Sequence, residues 1–171
     1  MKRFVWMIIV AAGVATVAAG CGYRLSGGGY LNENVTRVAV DVFENNSSES
    51  RAAISFTNEL VEEITQKSDT EVVDMERATR VIKGTIKSIT FSTLSRSSTE
   101  TVTERRVTAV VDVILTGADG EILWSAVDFS AKESYTVATD TVDDEANKSE
   151  AVDTIAERVA ERLVSRLLSN F

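Results

Sequence analysis

The sequence predicts an α+β fold: a two-layer sandwich in which a mostly antiparallel sheet of four to five strands carries two helices on one face, in the order β-α-(β)-β-β-β-α. Three observations predict it. Long runs at about 80–94, 101–116 and 121–136 alternate apolar and polar residues. Two segments, about 49–67 and 145–169, repeat apolar residues at helical spacing. Gly117-Ala118-Asp119-Gly120 joins the last two runs through a tight turn. A half-apolar sheet must bury that face, and two amphipathic helices can cover it.

The elements follow in order. Residues 35–43 read as a half-buried strand, with Val38, Val40 and Val42 on one face. Glu44 to Ser48 form a turn that offers N-caps. The first helix buries Ala53, Phe56, Leu60, Val61 and Ile64, with Glu59, Glu62, Glu63 and Lys67 off that stripe. Residues 70–74 are a short strand or extended link. In the run 80–94, Ile82, Gly84 and Ile86 share one parity while Ile89 and Phe91 take the other, so a β-bulge falls near Lys87–Ser88. Val107, Ala109, Val111, Val113 and Leu115 share a face of the next run, and Leu123, Val127, Phe129 and Ala131 a face of the last. The closing helix buries Val152, Ile155, Ala156, Val159, Leu163 and Leu167. Its Glu150 and Asp153 lie early and its Arg158, Arg162 and Arg166 late, which suits the helix dipole.

The first twenty residues have a different character. Lys2 and Arg3 precede an apolar run from Phe4 to Val17, which ends in Ala18-Ala19-Gly20 before Cys21. That is the three-part layout of a secretory signal peptide. The apolar run falls short of the roughly 20 residues a spanning helix needs. Cys21 is the sole cysteine, so no intramolecular disulfide is open to it. Its position after Ala-Ala-Gly resembles the lipobox of bacterial lipoproteins, with Ala18 where that pattern usually has Leu. Cys21 is therefore the expected lipidation site, and Gly22 in place of Asp points to outward sorting. Residues 1–20 are read as the signal peptide, 21–34 as a Gly-rich tether and 35–171 as one α+β domain. The triple glycine Gly27–Gly29 lacks the Gly-Lys-Ser/Thr of a phosphate loop.

Composition narrows the function. Of 18 basic residues two lie in the signal segment, and 26 acidic residues remain beyond it, so the processed chain carries −10. Such a chain suits neither nucleic acid nor polybasic adhesion to anionic lipid, which leaves attachment to the acyl chains. The sequence contains no histidine, which removes the commonest general base and metal ligand. With Cys21 acylated it has no thiol nucleophile either. The reading is non-enzymatic, without cofactor. The acidic cluster Asp140, Asp143, Asp144 and Glu145 lacks the ligand spacing of a calcium loop and reads as the first turn of a helix. A carboxylate pair of glycosidase type has no other catalytic element to support it.

Four segments carry a resemblance: CGYRL from Cys21, NVTRVAVDVFENNSSES from Asn34, RVIKGTIKSI from Arg80 and GEILW from Gly120. With the element order above, they resemble the LptE family of lipopolysaccharide-assembly outer-membrane lipoproteins over nearly the whole processed chain. The resemblance implies a lipid-anchored protein of the outer membrane, on its periplasmic side or inside a barrel lumen. There it would plug and help assemble an LptD-type β-barrel and bind lipopolysaccharide. A regulator of a peptidoglycan synthase is the alternative, although such proteins usually have a longer tether.

A lipopolysaccharide surface should place cations beside apolar groups. The candidates are Arg96, Arg105 and Arg106 near the hairpin between the first two long strands, and Lys132 on the last strand. On a three-strand meander these four can approach one another at one end. The simpler reading makes them solvated charges balanced by Glu100, Glu104 and Glu133.

Overall fold

A computed structural model of the protein describes residues 29–31, 35–96 and 102–169. Cys21, the signal segment and Glu100 lie outside the described residues, as does most of the tether. The elements are β1 (Arg37–Val40), β2 (Glu44–Asn45), α1 (Ala52–Lys67), β3 (Glu71–Val72), β4 (Arg80–Arg96), β5 (Val102–Thr116), β6 (Ile122–Thr136) and α2 (Thr141–Ser169). The strands form one sheet in the order β3-β1-β4-β5-β6, with β2 also on β4. The long β4–β5–β6 meander is antiparallel, while β1 and β2 pair in parallel with their neighbours. The α+β architecture is as expected, with six strands in place of four to five.

The sixth strand arises because the run 35–43 breaks. The amide of Val42 donates to Asp41 Oδ1 at 3.0 Å, and that of Phe43 to Thr57 Oγ1 at 3.0 Å. Short polar side chains thus draw two backbone donors out of the ladder. Parity switches at the break: Val42 is 65% exposed, against the expected face, and Phe43 is buried. The neighbouring turn holds residues 49–51 outside the helix, which starts at Ala52 rather than at 49.

Of the register shifts in the meander, two bulges fall at one level. Lys87 is the extra residue in β4, where the alternation switches as expected. The second bulge was not visible in the pattern. Val127 and Asp128 of β6 together oppose Asp112 of β5. Asp128 adopts φ 52°, and its amide donates to Asp112 Oδ1 at 2.7 Å. Lys87 Nζ bridges Asp128 at 2.6 Å and Asp112 at 3.6 Å, tying both bulges to the central strand. The bulge explains a correction. Leu123 and Val127 do not share the buried face of Phe129 and Ala131; Trp124 and Ala126 turn inward instead. Positive φ is strained for a β-branched residue, at about 1–3 kcal/mol. Asp128→Val is therefore expected to lose about that much stability, while Asp128→Gly, which removes the same carboxylate, should lose less. Denaturant unfolding of the two variants separates backbone strain from the lost ion pair.

Both helices lie on one face. Arg51 meets Ser149 and Ser55 meets Asp153, a constant offset of 98, so α1 and α2 run parallel and in step. All six expected core residues of α2 are buried. That helix begins at Thr141 rather than 145, because Asp140 Oδ1 accepts the amide of Val142 at 2.8 Å. The acidic cluster accordingly forms the cap and first turn of α2. Among the described residues no helix is long and apolar enough to cross a membrane.

Candidate functional site

Alternation along β5 sorts its side chains. Val107 to Leu115 at odd positions face the helices and are buried. Arg106, Thr108, Val110, Asp112 and Ile114 therefore face away, onto the side of the sheet that neither helix covers. Cross-strand partners extend this face. Arg106 lies between Ser92 and Ser134, Thr108 between Thr90 and Lys132, and Val110 between Ser88 and Ser130. The uncovered face at this end is thus a Ser/Thr lawn bearing two cations, Arg106 and Lys132, with the carboxylate of Glu104 two residues from Arg106 on the same strand and face. The two cations stand at diagonal register on adjacent strands, about 7–8 Å apart at Cα.

The four candidate cations do not form one cluster. Arg105 follows Val107 in parity and faces the helix side, opposite Thr93 and Tyr135. The buried Tyr135 hydroxyl is its principal neighbour and, with the Asp144 carboxylate further off, holds the guanidinium firmly charged. Arg96 ends β4 opposite Val102, at the hairpin tip. The structure thus brings Arg106 and Lys132 onto one face, turns Arg105 to the other and leaves Arg96 at the tip. Adjacent residues of a strand must point to opposite sides, so the dipeptide Arg105-Arg106 could not serve one surface.

Arg158 of α2, read from the sequence only as a late-helix cation suited to the dipole, has a second role. It pairs with Glu133, and its Nη1 donates to the Lys132 carbonyl at 3.1 Å. Asn147 Nδ2 donates to the Thr136 carbonyl at 2.9 Å. Both bonds cap backbone acceptors of β6, an edge strand whose open carbonyls would otherwise invite another strand. The sequence signal for Arg158 was its place off the α2 stripe, which marks many residues that do nothing of the kind.

The helix layer has the opposite electrostatic character. Glu59 and Glu63 of α1 line up with Asp153, Glu157 and Glu161 of α2. Burial first, then repulsion among these carboxylates, raises both pKa values above the ordinary 4.5, with Lys67 opposing the rise at Glu63. The folded chain therefore takes up these protons more readily than the unfolded chain. The linked stability is gained as pH falls through the raised values and is complete below 4.5. The double variant Glu59→Gln, Glu63→Gln should be more stable than the parent at pH 7. That advantage should vanish below pH 4.5, as followed by thermal unfolding across pH.

One antiparallel meander backed by two parallel helices, with a polar open face, defines a fold shared with small bacterial lipoproteins. Lipoprotein B from Nitrosomonas europaea aligns with TM-score 0.57 at 15% identity, covering 80% of this chain and 84% of its own. A lipoprotein from Caulobacter crescentus aligns at 0.55 and 13%, covering 75% and 89%. A minor lipoprotein from Acinetobacter baumannii aligns at 0.51 and 12%, covering 80% and 93%. At such identities the likeness is one of fold. No curated protein matches by sequence. The family model for LptE, lipopolysaccharide-assembly, matches residues 35–167, and the chain belongs to that family.

Proposed function

We propose that this chain is a non-catalytic outer-membrane lipoprotein, processed after residue 20 and acylated at Cys21. Its single domain acts as plug and assembly partner of an LptD-type β-barrel. The observation that carries this reading is the uncovered sheet face beside a helix layer rich in carboxylates. A plug must turn one polar, hydrogen-bonding surface to a barrel wall or to its cargo, and the Ser/Thr face of β4–β6 offers one. Size supports the same reading: the 29 residues of α2 extend about 43 Å, close to the ~40–45 Å of a bilayer with its headgroups.

Arg106 and Lys132 are the proposed contacts for lipopolysaccharide phosphates, with Val110 and Ile114 further along the same face. Arg105 and Arg96 are placed to assist only from the helix side and the hairpin tip. The test is isolation of the tagged, processed protein from membranes in mild detergent. Recovery with a large β-barrel at one-to-one is expected. Recovery alone, or with a peptidoglycan synthase, overturns the reading. The double variant Arg106→Glu, Lys132→Glu should keep the barrel and lose most lipopolysaccharide binding in a direct assay. Unchanged binding by that variant would remove the two residues from the site.

A further inference from the structure

We propose that the first half of β6 is a strand-addition edge: it takes a short extended polypeptide segment bearing carboxylates and seats them under Arg162 and Arg166 of α2. The inference concerns the rim of the sheet rather than its open face, so it stands whether or not the plug reading holds.

The rim is open on one side. β6 ends the sheet, with β5 as its one neighbour among the described strands. Its second half is closed from within the molecule. The Lys132 and Thr136 carbonyls accept from Arg158 and Asn147 of α2, so the backbone groups of these two residues point away from β5. They pair with Thr108 and Glu104, so the even positions of β5 direct their own groups to β4. Ser125 pairs with Ile114, another even position, and its amide and carbonyl therefore also point outward. Val127 follows by alternation, since Ala126 between them pairs with Val113. Among the described residues no side chain hydrogen-bonds to the backbone of Ser125 or Val127. Such an edge is a template for another strand. The bulge at Asp128 ends the regular run, so the addition is short.

Charge specifies the occupant. Arg158, Arg162 and Arg166 lie about one turn apart along α2. Arg158 is engaged with Glu133 and the Lys132 carbonyl. Arg162 and Arg166 are exposed, and among the described residues neither has an ion-pair partner within 4.0 Å. Both line a groove of about 750 Å³ between α2 and residues 127–130 of β6. The Arg166 guanidinium lies 4.8 Å from the centre of the Phe129 ring, which holds it beside the strand. Two carboxylates share the groove. Asp128 is bound to Lys87 at 2.6 Å, and Glu161 lies near enough to Glu63 of α1 to help raise its pKa. Two unpaired cations against one unpaired acid leave the groove positive, in a chain of net charge −8.

The side chains of an added strand alternate between its two faces. Those on one face meet Leu123 and Val127, which are 36% and 65% exposed. Those on the other face the two arginines. Main-chain bonds supply affinity in such additions, and the alternate side chains supply specificity. The fitting segment therefore alternates apolar residues with acids.

The test uses the full chain, purified from membranes in mild detergent. The probe is an end-capped peptide alternating valine and glutamate, about six residues long as strands commonly are, followed by fluorescence anisotropy. It should bind, and the matching valine–lysine peptide should bind about tenfold more weakly or not at all. Two further valine–glutamate peptides carry N-methyl groups on the valine amides or on the glutamate amides. Only one set of amides can face β6, so one of these peptides should lose binding and the other keep it. The double variant Arg162→Glu, Arg166→Glu should lose about tenfold toward the valine–glutamate peptide, the scale of two half-exposed ion pairs. It should also bind the valine–lysine peptide better than the parent does. Arg162→Glu alone leaves the contact of Arg166 with Phe129 and should show part of both changes, which guards against a double variant that fails to fold. Absence of valine–glutamate binding overturns the proposal. So does equal behaviour of the two N-methylated peptides, which would mean charge attraction without an edge, and so does binding indifferent to Arg162→Glu. Dimerisation of the chain alone that the peptide reverses would make a second copy the occupant, and would overturn it too.

Discussion

Gly84→Val should unfold this protein at a temperature lower by roughly 5–15 °C, the equivalent of about 3 kcal/mol or more. Gly84 points inward between Ile82 and Ile86, and the ring of Phe43 lies where its side chain would be. The ring cannot step aside cheaply. It is buried, it packs against Phe56 at 6.1 Å between centroids, and its backbone amide is bound to Thr57. Valine is the better strand former, a gain of up to about 1 kcal/mol that opposes the clash without cancelling it. Gly84→Ala should show the same effect at about 1–3 kcal/mol. Adding Phe43→Leu to Gly84→Val should recover part of the loss, since residues in contact are energetically coupled. An unchanged melting temperature for Gly84→Val would mean that Phe43 packs elsewhere. Glycine inside a strand costs stability and often marks a close approach. Here the approach is what lets the break after β1 fold Phe43 back over β4.

On the proposed reading of Cys21 as the acylated anchor, Cys21→Ser should abolish attachment through the lipid and leave only what the barrel partner holds. One acyl chain holds only marginally, at about 10⁴ M⁻¹, and two or more hold firmly. The processed chain carries −10, so surface electrostatics offer no substitute for the lipid. The variant is best made behind an ordinary cleavable signal, so that loss of acylation is not confused with failed processing. Made in excess of the barrel partner, the variant should then fractionate with the soluble periplasmic proteins, and its N-terminal mass should lack the lipid. A variant that stays with the outer membrane would show that the domain is held by its partner rather than by its anchor. The fold should be unaffected, because every core residue among those described lies at Leu31 or beyond.

The elements themselves were legible because their signals are local. The stripe Val152, Ile155, Ala156, Val159, Leu163, Leu167 repeats at helical period, and all six residues are buried. The parity switch at Lys87 is written in the order Ile82, Gly84, Ile86, Ile89, and the bulge lies there. Gly117 and Gly120 close the turn, with φ 85° at Gly120. The signals failed where a side chain, adjacent or distant, competes for a backbone amide. Val42 looked inward until Asp41 and Thr57 took the donors of Val42 and Phe43. Val127 looked inward until Asp112 took the amide of Asp128.

The candidate site divides in the same way. Sequence located the cations and the expected anchor at Cys21, because charge and a cysteine after small residues can be read one position at a time. It could not say that Arg106 and Lys132 share a face while Arg105 opposes them, since that depends on register across β5 and β6. Nor could it show that Glu59 and Glu63 meet Asp153, Glu157 and Glu161, for those residues lie about a hundred positions apart. The sequence by itself determined the α+β class, the buried stripe of α2, the Phe56, Leu60 and Ile64 of the α1 stripe, where Ala52 and Thr57 are buried and Ala53 and Val61 only half-buried, and the charge of the chain. Tertiary structure alone decided which side chains stand together, because periodicity is a property of one segment and proximity is a property of two.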